Sequence, residues 1–185
     1  METFKLKHDI QVSIINDDNP DSPRDWDNLG TMLYTSSHYV LGDTQTDLDH
    51  IEDTIKRKDV LYLNVYAYIH GWVKLSTSGF SCPWDSGQCG IIYADFDTIK
   101  ENYGIKRITK KIKERVYQSL KNEVKTFSDY CEGEVYGYTV KRGNDCLDSV
   151  WGFYGYDYTK NEALNIGAYW VKEYNRLDAI NSTGG

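Results

Sequence analysis

The chain has 185 residues, 40% of them hydrophobic, enough to bury one sizeable core, and a formal net charge of −7. No stretch approaches the roughly 20 apolar residues of a membrane span, and the first residues, METFKLKHDIQ, lack the apolar run of a signal peptide, so a cytosolic protein is expected. Cys82, Cys89, Cys131 and Cys146 match neither a C-x-x-C redox pair nor paired zinc knuckles, which argues for free thiols.

In chain order, Thr3 to Ile15 reads as one opening strand, with Leu6, Ile10, Val12 and Ile14 in partial alternation. Two prolines and repeated Asp and Asn in 16–27 favour turns. A helix follows, with Thr46 as expected N-cap, Asp49 at the third position and Leu48, Ile51 and Ile55 as the buried stripe. Residues 59–69 give the clearest strand, setting Leu61, Leu63, Val65, Ala67 and Ile69 against Tyr62, Asn64, Tyr66 and Tyr68. Gly71 can turn the chain into a second strand at 72–76, and 89–94 supplies another.

Ile108, Ile112, Val116, Leu120 and Val124 recur every four residues, predicting a helix over 105–127. Residues 134–140 and 149–154 form an expected antiparallel pair about the turn residues Gly143, Asn144 and Asp145. A capping box at Thr159 and Glu162 opens a last helix, in which Gly167 implies a kink or close packing. The expectation is α+β: one domain over residues 1–180, largely antiparallel with two to three packed helices, and a frayed tail over 181–185.

The charge is unevenly spread. Residues 16–59 hold 11 acidic and 4 basic side chains, whereas 100–125 hold 9 basic and 3 acidic. The acidic arm could address a basic partner. The basic helix, with Lys106, Arg107, Lys110, Lys111, Lys113 and Arg115, invites a nucleic-acid reading. No nucleic-acid-binding motif accompanies it, so a solvated face is expected and direct nucleic-acid binding is not.

Two islands punctuated by glycine and tryptophan stand apart from these elements: SPRDWDNLGTM at Ser22–Met32 and FSCPWDSGQCG at Phe80–Gly90. With Leu41-Gly42-Asp43, DFDTIKENYGIKRITKKI at 95–112, Val-Tyr-Gly-Tyr at 135–138 and DSVWGFYG at 148–155, their order resembles an uncharacterised family of small proteins from bacteriophages and prophages. The resemblance spans roughly residues 22–158. The chain departs from it at Tyr68–Trp72, YIHGW instead of a polar Asp-His-Ser-Gly-like turn, and at Met32–Val40, which is less basic and less rich in Cys and His. A site built around that turn would be altered here.

The resemblance implies a phage accessory protein in the host cytoplasm, and such proteins commonly disable a host defence component. The leading expectation is therefore a stoichiometric inhibitor, of anti-CRISPR or anti-restriction type, that binds a nucleic-acid-handling effector. Candidate binding residues are Asp17, Asp18, Asp21, Asp25 and Asp43 on the acidic arm, with Tyr62, Tyr66 and Tyr68 on the tyrosine face. Trp26 and Trp84 are expected to pin the island loops to the core.

The alternative is a small hydrolase or nucleotide-acting enzyme using Asp85 and His70, with Cys82 as a weaker nucleophile candidate. Histidines at H-x-x-x-H spacing, a G-x-S-x-G elbow and a P-loop are all missing from the sequence, so neither metal nor cofactor is expected. A third alternative is a nucleic-acid binder using the basic helix.

Overall fold

The computed structural model describes residues 1–82 and 84–183. In chain order the elements are β1 (Glu2–Lys5), β2 (Ile10–Asn16), β3 (Thr31–Tyr34), β4 (Thr44–Gln45), α1 (Leu48–Lys56), β5 (Val60–Ile69), β6 (Val73–Ser76), β7 (Ser86–Asp95), α2 (Phe96–Tyr103), α3 (Lys110–Cys131), β8 (Val135–Arg142), β9 (Asp145–Tyr154) and α4 (Tyr156–Thr183). The fold is α+β, as the sequence implies, with its strands in two mostly antiparallel sheets. Two compact units can be told apart, one formed by residues 1–21 and 133–185 and the other by 22–132.

In the first unit the sheet runs β1-β2-β8-β9, antiparallel throughout. The single opening strand expected over 3–15 is instead a hairpin. Its alternation fails at His8, where His8 and Asp9 adopt positive φ (60° and 56°) and Leu6 N–H donates to the Ile10 carbonyl at 2.8 Å. Ile10, Val12, Ile14, Tyr138 and Val140 form the core under α4 together with Ala163. Helix α4 starts before the expected Thr159 cap. The chain turns out of β9 at Gly155, and Thr159, fully buried in the first turns, donates its hydroxyl to the Gly155 carbonyl at 2.9 Å.

Gly167 marks close packing. A Cβ there would lie 2.5 Å from Val12 Cγ2 and 2.7 Å from Leu6 Cδ1, so the glycine lets the helix approach the sheet. The helix also runs to Thr183, past the start of the expected frayed tail, of which Gly184 and Gly185 lie outside the described residues. On β9 the strand bulges opposite Gly137, and Trp151 covers that glycine: an added Cβ would come within 2.3 Å of the indole. The Val-Tyr-Gly-Tyr and DSVWGFYG blocks are thus two halves of one strand pairing.

In the second unit the sheet runs β4-β3-β7-β5-β6, with β3 and β4 parallel and the other pairs antiparallel. Alternation along the strands sends Met32, Ile92, Leu61 and Val65 to one face, where Val116, Leu120, Val124 and Phe127 of α3 cover them. Leu33 and Ile91 point the other way and meet Ile51 and Ile55 of α1 together with Tyr62 and Tyr93.

Helix α1 begins one residue later than expected. Asp47, not Thr46, is its N-cap and accepts the His50 N–H at 2.9 Å; the shift leaves Leu48 exposed and buries Thr54. Helix α3 begins at Lys110, capped by Thr109, because Gly104 ends the separate helix α2 in a left-handed turn.

Candidate functional site

The second island closes one end of the five-stranded sheet. Gly71, at φ 78°, reverses the chain from β5 to β6, and the Ile69 N–H donates to the Asp85 carbonyl at 2.9 Å. The β5–β7 ladder slips at Val65/Tyr66, leaving Cys89 opposite no partner on β5, while the Thr35 N–H donates to the Cys89 carbonyl at 2.9 Å. Between these segments lies an open cleft of about 420 Å³, bordered by Thr35, Ser36, Ile69, Trp84, Asp85 and Gln88.

The structure does bring His70 and Asp85 together. His70 Nδ1 lies 3.8 Å from Asp85 Oδ2, beyond hydrogen-bond reach, with the imidazole 69% exposed. Cys82 Sγ donates to the same Asp85 oxygen at 3.7 Å. Ser86 Oγ is occupied as donor to the Cys82 carbonyl. Burial pushes the Cys89 thiol up to about 12. Among the described residues, no group of three or more His, Cys, Asp or Glu side chains is placed to hold a metal ion.

Trp84 overturns one expectation. It stands 94% exposed beside the cleft, and Trp72 across the turn is 57% exposed. The Ile69 N–H bond to the Asp85 carbonyl and the Ser86 hydroxyl bond to the Cys82 carbonyl do not involve the indole; Trp26, at 50% exposed, is also only half withdrawn from solvent.

The first island is held by a buried polar network that the sequence reading missed. Arg24, its side chain 6% exposed, donates from Nε and Nη2 to the two oxygens of Asp43 at 2.8 and 2.7 Å. It also donates from Nη2 to the Gly30 carbonyl at 2.6 Å and from Nη1 to Glu123 Oε2 at 3.2 Å. Glu123 in turn accepts the Leu29 and Gly30 N–H groups at 3.1–3.2 Å, and Asp43 accepts the Met32 N–H at 2.6 Å.

Burial works against the charge on Arg24, but Asp43 and Glu123 outweigh it and raise the guanidinium above its ordinary value. Burial also raises the Glu123 carboxyl, against the pull of Arg24 and the Gly30 and Leu29 amides. Asp43, expected on a binding surface, accepts from Arg24 and the Met32 N–H and is at the same time exposed at the edge of the loop. The available signal was Glu123 itself, an acid inside the apolar stripe of α3 between Leu120 and Val124.

The remaining candidates are scattered. Asp18, Asp21 and Asp25 are exposed, while Asp17 is half-buried and accepts the Asn19 N–H at 3.2 Å. Tyr62, Tyr66 and Tyr68 are all half-buried; Tyr62 packs with α1 residues and Tyr68 against Phe80, with ring centroids 5.9 Å apart. The loop between β3 and β4 borders two clefts: Leu41 lines the one beside Trp84, while Val40, Gly42 and Asp43 line a second of about 500 Å³ with Ser22 and Tyr130. No family model, curated protein or solved structure matches this chain. No helix among the described residues is long and apolar enough to cross a membrane.

Proposed function

We propose that this is a phage-type accessory protein acting in the host cytoplasm as a stoichiometric, protein-binding inhibitor of a host defence system of anti-CRISPR or anti-restriction type. The observation that carries the binding reading is the 94% exposure of Trp84 at the rim of a cleft. Tryptophan is the residue type most enriched at binding hot spots, and a ring without a packing duty invites a partner. The net charge of −7 supports a basic partner such as a nucleic-acid-handling effector, with exposed Asp18, Asp21 and Asp25 among the residues that steer its approach.

The test compares wild type with Trp84→Ala and with Asp17→Asn/Asp18→Asn/Asp21→Asn in affinity capture from a bacterial host, followed by association kinetics on the captured partner. Trp84→Ala should lose capture at unchanged melting temperature; the triple variant should associate more slowly with a weaker salt dependence. Capture and kinetics unchanged in both variants would sink the reading.

The approach of His70 to Asp85 beside the same cleft favours a small hydrolase or nucleotide-acting enzyme as second reading. Nucleoside triphosphate and ester hydrolysis abolished by His70→Gln would establish it, and an unchanged rate in that variant would remove it.

A further inference from the structure

We infer that the outer face of α3 is a docking surface for the phosphate backbone of duplex nucleic acid. At 100° per residue, Lys110, Lys111, Arg115 and Lys121 fall within an arc of about 140°, opposite the stripe of Val116, Leu120 and Val124 that faces the core. Lys106 and Arg107 stand just ahead of the helix. All six are exposed, and none lies within 4.0 Å of a described carboxylate.

The same molecule tests the simpler reading of a solvated face. Where α1 and α2 meet water, charges of both signs interleave and pair, as Lys56 does with Glu52 and Asp53 and Lys100 with Asp97. Along Lys110–Lys121 of α3 the like charges Lys111 and Arg115 stand one turn apart instead, with Glu114 the one acid in that stretch, and the paired cation of the helix, Lys125 with Asp129, lies beyond it. The cations of the stretch also crowd the end of the helix where the backbone dipole opposes positive charge, and its first turn contains no acid. This arrangement costs folding stability, and polyanion binding relieves that cost.

The unit that carries α3 is close to neutral, with 16 acidic and 14 basic residues over 22–132, so the net negative charge of the chain resides mainly in the other unit. The stripe from Lys110 to Lys121 is about 16 Å long at 1.5 Å per residue, enough to follow a strand for about four or five phosphates. Its aromatic neighbours, Tyr103 and Tyr117, are half-buried, and Arg115 lies over the Tyr103 ring at 5.1 Å. Bases therefore find no exposed stacking platform on this face, which favours a duplex held by its backbone over a single strand.

The test is fluorescence anisotropy of a mixed-sequence DNA duplex of about 24 base pairs with the full-length protein, from about 50 to 200 mM salt. Micromolar or tighter binding is expected at the low end, with a log–log salt slope of about −3 to −4 for roughly four phosphates. Lys110→Gln/Lys111→Gln/Lys121→Gln should weaken binding at least about tenfold and make the slope shallower by about 2.7 units, whereas the three Lys→Arg changes should preserve both. The melting temperature of the Gln variant should hold or rise, because like-charge repulsion is removed. No binding at low salt, equal binding by the Gln variant, or a preference of more than about tenfold for the single strand would each overturn the inference. This surface is separate from Trp84 in sequence and in variant, so the outcome is independent of the proposed partner.

Discussion

Replacing Glu123 distinguishes whether charge or acceptor geometry holds the first island. Its carboxylate accepts two backbone N–H groups, from Leu29 and Gly30, and one Arg24 N–H, in a site where Glu123 is 14% and Arg24 6% exposed. Glu123→Ala strands those donors. Each unsatisfied buried donor costs about 1–3 kcal/mol, and partial water entry together with the surviving Arg24–Asp43 pair brings the expected loss to about 3 kcal/mol.

Glu123→Gln retains one oxygen for the amides. Because burial raises the folded carboxyl above its unfolded value, the fold favours the neutral over the ionised side chain, so Gln should cost less than about 1 kcal/mol. The same direction fixes the pH behaviour. A group raised in the fold binds its proton preferentially in the folded state, and its contribution is complete below the unfolded value and lost as pH rises through the folded one. The stability of wild type relative to Glu123→Gln should therefore increase as pH falls from neutral toward the ordinary glutamate range. Urea denaturation followed by tryptophan fluorescence and circular dichroism at several pH values measures all of this. A Gln variant as unstable as the Ala variant at neutral pH would refute the reasoning and assign the loop to the ion pair.

Other outcomes follow from the same geometry. Trp84→Ala should change stability by less than about 0.5 kcal/mol in thermal melting, since the ring is exposed; a loss of about 3 kcal/mol or more would mean it is packed after all. Cys89 and Cys131, both raised to about 12 by burial, should resist alkylation by iodoacetamide in the folded protein while exposed Cys146 reacts, as mass spectrometry of the modified chain would report. Gly167→Ala should destabilise by about 1–3 kcal/mol despite the better helix propensity of alanine, because its Cβ overlaps Val12 and Leu6; a raised melting temperature would contradict the close packing.

Much of the fold was legible because its strands and helices carry clear periods. The alternation of β5 and the four-residue recurrence in α3 identify their buried faces, and those faces meet across one core. The errors fall where a local backbone event has only a weak sequence signal. The His8 turn interrupts an alternating run without glycine or proline, and capping at Asp47 and Thr46 differs by one residue between two competent side chains. The division of the strands into two sheets was not legible, because β2 and β8 pair across more than a hundred residues and no local pattern encodes that partner.

The two islands look alike in sequence, yet the structure uses them differently. In the first, the polar residues turn inward: Arg24 and Asp43 satisfy each other and the loop backbone, and the acid from α3 completes the set. Charges so little exposed as Arg24 and Glu123 need complete partners, so the loop gains a defined shape and commits most of the hydrogen-bonding capacity of these residues to it. In the second, the His70 side chain is largely open to solvent and Trp84 almost wholly so, while Asp85, 40% exposed, closes the loop through its carbonyl, which accepts the Ile69 N–H. The exposed Trp84 ring, set beside those bonds, is available for recognition. That difference in how the side chains are engaged, absent from composition and spacing alone, directs the search for a partner to the second island and away from the first.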